Sequence, residues 1–174
     1  SFTLNLKVLC FANHLRKPKD IRYAELLCRT NYSFLRGASH PHELIQRAAE
    51  ISLTAIAITD LGGVYGIPKA YQAAKEFPDT KLLCGAELIL ENHPSICLIA
   101  RNRAAYGLLC RMLTESHRDR PKAKPLLSIE KLQLFCEESA ASGLIALATD
   151  GIDAKYDLFC ELFSERLYLP LSRF

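Results

Sequence analysis

Two periods of hydrophobic and polar positions alternate along this chain. Tyr23–Cys28 is short, apolar and bounded by polar residues, as a strand is. A Gly37-Ala-Ser39 loop follows, and Ser39 or His40 then caps a helix with Pro41 in its first turn. In that helix Leu44, Ile45, Ala48, Ala49 and Leu53 recur at helical spacing. Thr54-Ala-Ile-Ala-Ile-Thr59 reads as a second strand, apolar on both faces like a buried parallel strand, and Gly62-Gly63 breaks it. Ile67–Phe77 predicts a second helix, ended before Pro78. Lys81–Cys84 predicts a third strand that leads into Gly85-Ala-Glu87.

The second half continues the alternation. Leu88–Leu90 and Ser95–Ala100 flank Glu91-Asn-His-Pro94, a hairpin turn by composition. Arg103–His117 predicts a helix with Tyr106, Leu109, Cys110 and Leu113 on one stripe, and Arg118–Pro125 a polar linker. Ser128 caps a helix to about Phe135. Gly143–Ala148 predicts a strand, Ala154–Phe163 a helix, and Leu167–Leu169 a last short strand. Strands alternating with helices predict an α/β domain with a largely parallel sheet. Residues 1–20 stand apart as an N-terminal appendage, apolar over Leu4–Ala12 and basic at Arg16-Lys-Pro-Lys19.

Composition narrows the class. A length of 174 residues suits one domain or a piece of a larger one, and 49% hydrophobic content is ample for a packed core. The net charge of +3 permits an anionic partner without requiring one. Seven cysteines are present, the count is odd and no Cys-x-x-Cys occurs. Buried free thiols in a reducing cytoplasm fit this better than disulfides or a zinc site. No apolar run reaches the roughly 20 residues of a membrane span, so a cytoplasmic location without membrane association is expected.

Some candidate chemistry is weak. Arg118, Arg120, Lys122 and Lys124 form a basic loop that can touch a phosphate backbone. The loop contains no aromatic, which argues against single-strand readout there and favours a solvated linker. His40-Pro41-His42 looks like a metal pair, but side chains two apart on a helix diverge, so the rings are not expected to converge on one ion. His14, His93 and His117 are isolated.

The specific signal spans residues 23–90: Tyr23-Ala-Glu-Leu-Leu-Cys-Arg-Thr-Asn-Tyr-Ser-Phe-Leu-Arg-Gly-Ala-Ser-His-Pro-His-Glu-Leu44, then Ala55-Ile-Ala-Ile-Thr-Asp-Leu-Gly-Gly-Val-Tyr-Gly66, then Gly85-Ala-Glu-Leu-Ile-Leu90. It resembles the polymerase-and-histidinol-phosphatase (PHP) domain that opens bacterial C-family DNA polymerases. Asn31–Ser39 and Arg166–Leu171 are closest to the error-prone branch. The resemblance implies a distorted (β/α) barrel, truncated or open, of which residues 21–174 would be the first half to two thirds. Active members open with His-x-His, where this chain has Leu27-Cys28-Arg29, and place His after Thr-Asp, where it has Leu61. By strand alternation Leu27 and Arg29 share the mouth-facing side and Cys28 points toward the helices. Asp60 and Glu87 match family carboxylates.

Leu27 and Leu61 carry no lone pair, and a guanidinium cannot ligate a metal. The pocket of Leu27, Arg29, Asp60, Leu61 and Glu87 is therefore read as vestigial, with Arg29 paired to Asp60, Glu87 or both. The leading reading is a catalytically inactive PHP-like domain of, or derived from, an error-prone polymerase, needing no cofactor. Its role would be structural or partner-docking, the partner being polymerase domains of its parent or another protein. The alternative is a metal-dependent phosphoesterase or 3′–5′ exonuclease with a reduced Mg, Mn or Zn site on Asp60 and Glu87. A plain DNA-binding module is a third reading with less support.

Overall fold

The computed structural model describes residues 23–121, 124–149 and 157–169. Six strands, β1 (Ala24–Cys28), β2 (Ala55–Leu61), β3 (Lys81–Leu88), β4 (Ile96–Ala100), β5 (Leu144–Ala148) and β6 (Leu167–Tyr168), form one sheet in sequence order. Pairings β1–β2, β2–β3 and β5–β6 are parallel, whereas β3–β4 and β4–β5 are antiparallel. The sheet is thus less parallel than strand–helix alternation implies, because the turn around Glu91–Pro94 makes a true hairpin.

Five helices accompany it: α1 (Pro41–Glu50), α2 (Ile67–Ala74), α3 (Arg103–His117), α4 (Ile129–Cys136) and α5 (Asp157–Phe163). His40 is the N-cap of α1, in extended backbone, and its N–H donates to the Glu43 side chain at 2.7 Å. Asn102 caps α3 by accepting from the Ala105 N–H at 2.9 Å, and Ser128 caps α4 through Lys131 N–H. The predicted appendage over residues 1–20 and the predicted helix start at Ala154 lie outside the described residues.

Strand alternation sorts the core into two sides. On the helix-bearing side Ile45 and Ala48 of α1 pack with Ile56 and Ile58 of β2 and Ile67 and Ala70 of α2. Leu88, Ile96 and Leu98 pack there against Leu109 and Met112 of α3, Leu132 of α4 and Phe159 and Phe163 of α5. Full burial of each such side chain contributes about 1.5–3 kcal/mol. The opposite side gathers Ala57, Cys97, Ile99 and Leu147, with Leu26 and Leu27 of β1 and Tyr168 of β6 packed against them. Strands at opposite ends of the sheet order thus pack on one cluster. A flat sheet would hold them more than 20 Å apart at the usual spacing of about 4.8 Å, so this sheet curls into a half-barrel with a concave inner face.

Three predicted elements are corrected. The α3 stripe is rotated: Ala105, Leu108, Leu109, Met112, Leu113 and Ser116 are buried, while Tyr106 and Cys110 lie at its margin. Strand β3 runs on to Leu88 because Gly85-Ala-Glu87 pairs on both sides, with β2 and with β4. Helix α2 stops at Ala74, before the predicted Phe77.

Candidate functional site

The site lies at the C-terminal ends of β1 and β2, where β3 turns toward β4. Strand β1 carries a bulge: it advances three residues from Glu25 to Cys28 while β2 advances two, from Ile56 to Ile58. The extra residue lets Leu26 and Leu27 both face the concave cluster. Regular alternation resumes beyond it. Cys28 packs on the helix side with Ile45 and Ile58, and Arg29 returns to the concave side.

There Arg29 meets Glu87. Nε and Nη2 donate to Glu87 Oε2 at 3.0 and 2.5 Å. The Arg29 side chain is 32% exposed and that of Glu87 only 3%. The other carboxylate oxygen, Oε1, accepts from Ser95 Oγ at 2.8 Å, and Thr149 Oγ1 lies 2.8 Å from that hydroxyl and donates to the Ser95 carbonyl at 3.0 Å. Both oxygens of Glu87 are therefore engaged, one by a fixed cation and one by a hydroxyl network. Directly across the strand pair from Glu87 is Cys97. Burial and the nearby Glu87 charge push its thiol up to about 12, with Arg29 and a Thr59 hydrogen bond working the other way. It stays a thiol and offers no thiolate.

Asp60 is not part of this group: of the two partners expected for Arg29, Glu87 takes the guanidinium. One residue from Thr59, it shares the parity of Ile56 and Ile58 and turns to the helix side. Its carboxylate is 1% exposed. It accepts from the Thr30 backbone N–H at 2.8 Å, from Thr30 Oγ1 at 2.9 and 2.8 Å and from Ser33 Oγ at 2.7 Å. The N-cap of α2, Gly66, sits against it: a Cβ there would lie 2.6 Å from Asp60 Oδ2. Asp60 thereby fastens the β1–α1 loop onto the start of α2, where the helix dipole favours a negative charge. Asp60 also helps raise the Cys28 thiol to about 11, after burial and Glu25.

Leu61 has the concave parity of Ala57 and Thr59, and its N–H donates to Ser33 Oγ at 3.0 Å. The residues at the mouth thus comprise Leu27, Arg29, Leu61 and an already occupied Glu87. Among the described residues no group of three or more His, Cys, Asp or Glu can hold a metal ion. The donor set does not fit a metal cluster: two aliphatics and a guanidinium offer no lone pair, and the carboxylate oxygens of Glu87 are already bonded.

Other expected features fall as follows. Arg118 Nε bonds Glu115 at 3.1 Å and Arg120 Nη2 approaches Glu91 at 3.9 Å, so half of the basic loop is matched by carboxylates of the same chain. Lys124 is exposed and Lys122 lies outside the described residues. His40 and His42 do come together, their rings stacked at 5.6 Å. They stack face to face because His40 is the extended N-cap and not a helical residue. His117 Nε2 donates to the Gly62 carbonyl at 2.7 Å and so braces the glycine turn. Sequence reasoning missed Ser95, Thr149, Thr30 and Ser33. Ser95 was within reach of it, since it stands two residues before Cys97 and shares that face by alternation.

The model of the PHP domain family matches residues 25–168. An error-prone DNA polymerase from Bdellovibrio bacteriovorus is 34% identical over 168 residues, covering 90% of this chain and 15% of that protein. One from Pseudomonas paraeruginosa is 42% identical over 152 residues, covering 86% and 14%. The chain therefore spans about one seventh of the curated relatives it matches. A solved candidate metal-dependent phosphoesterase from Bifidobacterium adolescentis superposes at a TM-score of 0.44 with 21% identity, over 55% of this chain and 33% of that one.

Proposed function

The chain belongs to the PHP domain family, and from that premise we propose that it is a catalytically inactive member whose role is structural. It serves as a docking or stabilising platform in damage-related DNA synthesis, joined to polymerase domains of a parent protein or of a partner. The relatives named error-prone DNA polymerase motivate the context.

The observation that carries the reading is the Arg29–Glu87 pair. Metal-assisted phosphoester hydrolysis needs several lone-pair donors converging on ions that activate water and hold phosphate oxygens. Here a permanent cation of the protein neutralises the carboxylate that such ions would use. Asp60, the other carboxylate of the reduced-site alternative, is consumed by Thr30 and Ser33 on the far side of the strand. A platform role asks only that the frame persist, and the carboxylates of Glu87 and Asp60 are both hydrogen-bonded within the chain.

The test is hydrolysis of a single-stranded oligonucleotide and of a simple phosphodiester with Mn²⁺, Zn²⁺ or Mg²⁺ supplied. The expected result is no turnover above buffer with any of the three. Metal-dependent turnover abolished by Glu87→Gln would establish the phosphoesterase alternative instead.

A further inference from the structure

The polar anchor at Asp60 has a second consequence. It holds two loops side by side: a Cβ on Gly66 would lie 3.0 Å from Thr30 Cγ2. From these loops Tyr32, Phe34 and Tyr65 project into solvent, exposed by 38%, 82% and 57%. The neighbouring Leu35 holds a backbone φ of 62°, a conformation that a non-glycine residue keeps only where its surroundings impose it. The surroundings here are the Arg36 and Gly37 N–H groups, which both donate to the Ser33 carbonyl, at 2.8 and 2.9 Å. The aromatic tip is thus built on a fixed frame.

The charge around these rings has one sign. Residues 30–42 and 61–75 contain no Asp or Glu, yet hold Arg36, Lys69 and Lys75. Asp60, which the two loops enclose, is buried and hydrogen-bonded, and the exposed Glu43 is bonded to the His40 N–H at the start of α1. Lys69 Nζ stands 5.5 Å from the centre of the Tyr32 ring, so one cation and one aromatic already share a position.

We propose that the face formed by Tyr32, Phe34, Tyr65, Arg36 and Lys69 binds single-stranded nucleic acid, its bases stacking on the rings and its phosphates meeting the cations. Exposed rings interleaved with cations are what a sequence-tolerant single-strand site needs. Duplex DNA presents its bases already stacked and offers these rings nothing. The inference is independent of whether the concave pocket is inactive, since it uses none of the residues that fill it.

The test is fluorescence anisotropy of a labelled 20-nucleotide oligo(dT) and of a 20-base-pair duplex against the whole chain, over a salt series. Single-strand binding is expected to be at least fivefold tighter than duplex binding and to weaken as salt rises. Phe34→Ala combined with Tyr32→Ala should weaken it about tenfold or more, whereas Tyr32→Phe should leave it within twofold. Both positions are exposed at loop tips, and circular dichroism checks that the variants fold. Equal affinity for duplex, indifference to the double substitution, or no binding at low salt would each overturn the proposal. The last result would leave the patch to an acidic protein surface.

Discussion

Arg29 and Glu87, 58 positions apart, meet on the concave face of the sheet with two guanidinium nitrogens on one carboxylate oxygen. The pair exists because the β1 bulge sets Arg29 inward and the β3 alternation sets Glu87 inward. It joins two strands that do not pair directly, since β2 lies between them.

Arg29→Ala leaves Glu87 buried beside Ser95 without its cation. The pair is one third open to solvent on the arginine side, so the cost should fall between that of a surface and a buried ion pair, about 2 kcal/mol. The double variant Arg29→Met with Glu87→Gln should recover at least half of that loss. Urea midpoints of the native chain, Arg29→Ala, Arg29→Met, Glu87→Gln and the double variant measure both effects, the last three closing a double-mutant cycle with the native chain.

Ser33 serves two groups at once, donating to Asp60 and accepting from Leu61 N–H. Ser33→Ala strands a buried donor and thins the shell around a buried carboxylate, which should cost about 2 kcal/mol. Gln46→Ala, on an exposed helix face, should stay within about 0.5 kcal/mol. Thermal unfolding of the two variants side by side gives the comparison.

Alkaline pH should destabilise this protein through its thiols. Burial raises Cys28 and Cys136 to about 11 and Cys97 to about 12, from an ordinary value near 9.0. The unfolded chain then loses these protons first, so the unfolded state binds fewer of them between pH 9 and 12 and stability falls with rising pH. The contribution is fully present below pH 9 and lost as pH rises through the folded values. Urea midpoints at pH 7.5, 9 and 10.5 should fall in that order above pH 9, and substituting Cys97 by Ala should flatten the slope.

Two glycines should respond oppositely to a methyl group. A Cβ on Gly85 would lie 2.7 Å from the Leu98 carbonyl oxygen and 2.9 Å from Thr59 Cγ2, in the paired core of the sheet. Gly85→Ala should therefore destabilise by about 2 kcal/mol. Gly107 lies within α3 with nothing inside 4 Å of its added carbon, and Gly107→Ala should stabilise by about 1 kcal/mol through helix propensity. Calorimetric melting temperatures moving in opposite directions are the expected outcome.

Much of this architecture was legible because its signals are local. Pro41 and Ser128 mark helix starts, and the buried run Ala55–Ile58 has the length and polarity of a central strand. Parity placed Leu27, Arg29 and Cys28 correctly, although the bulge just before them disturbs the period that the reading assumed. Asp60 joins the pocket by motif adjacency alone: it differs by one residue from both Thr59 and Leu61, so it turns to the other side of the strand. Alternation puts Ser95 on the Cys97 face, but its placement beside Glu87 and that of Thr149 depend on the β3–β4 and β4–β5 registers, which are set over long range. The α3 stripe was misjudged by one rotation, since Cys and Tyr weigh as apolar in a sequence but sit at the margin here.

An internal guanidinium stands where ions would bind. Isothermal titration of Zn²⁺ and Mn²⁺ into the whole chain, and into the Leu27→His, Arg29→His, Leu61→His triple variant, puts this to the test. No heat of binding below millimolar metal is expected for the native chain, and a gain of at least tenfold in affinity for the triple variant, whose imidazoles would join Glu87 on one face. Micromolar binding by the native chain that disappears with Glu87→Gln would contradict it.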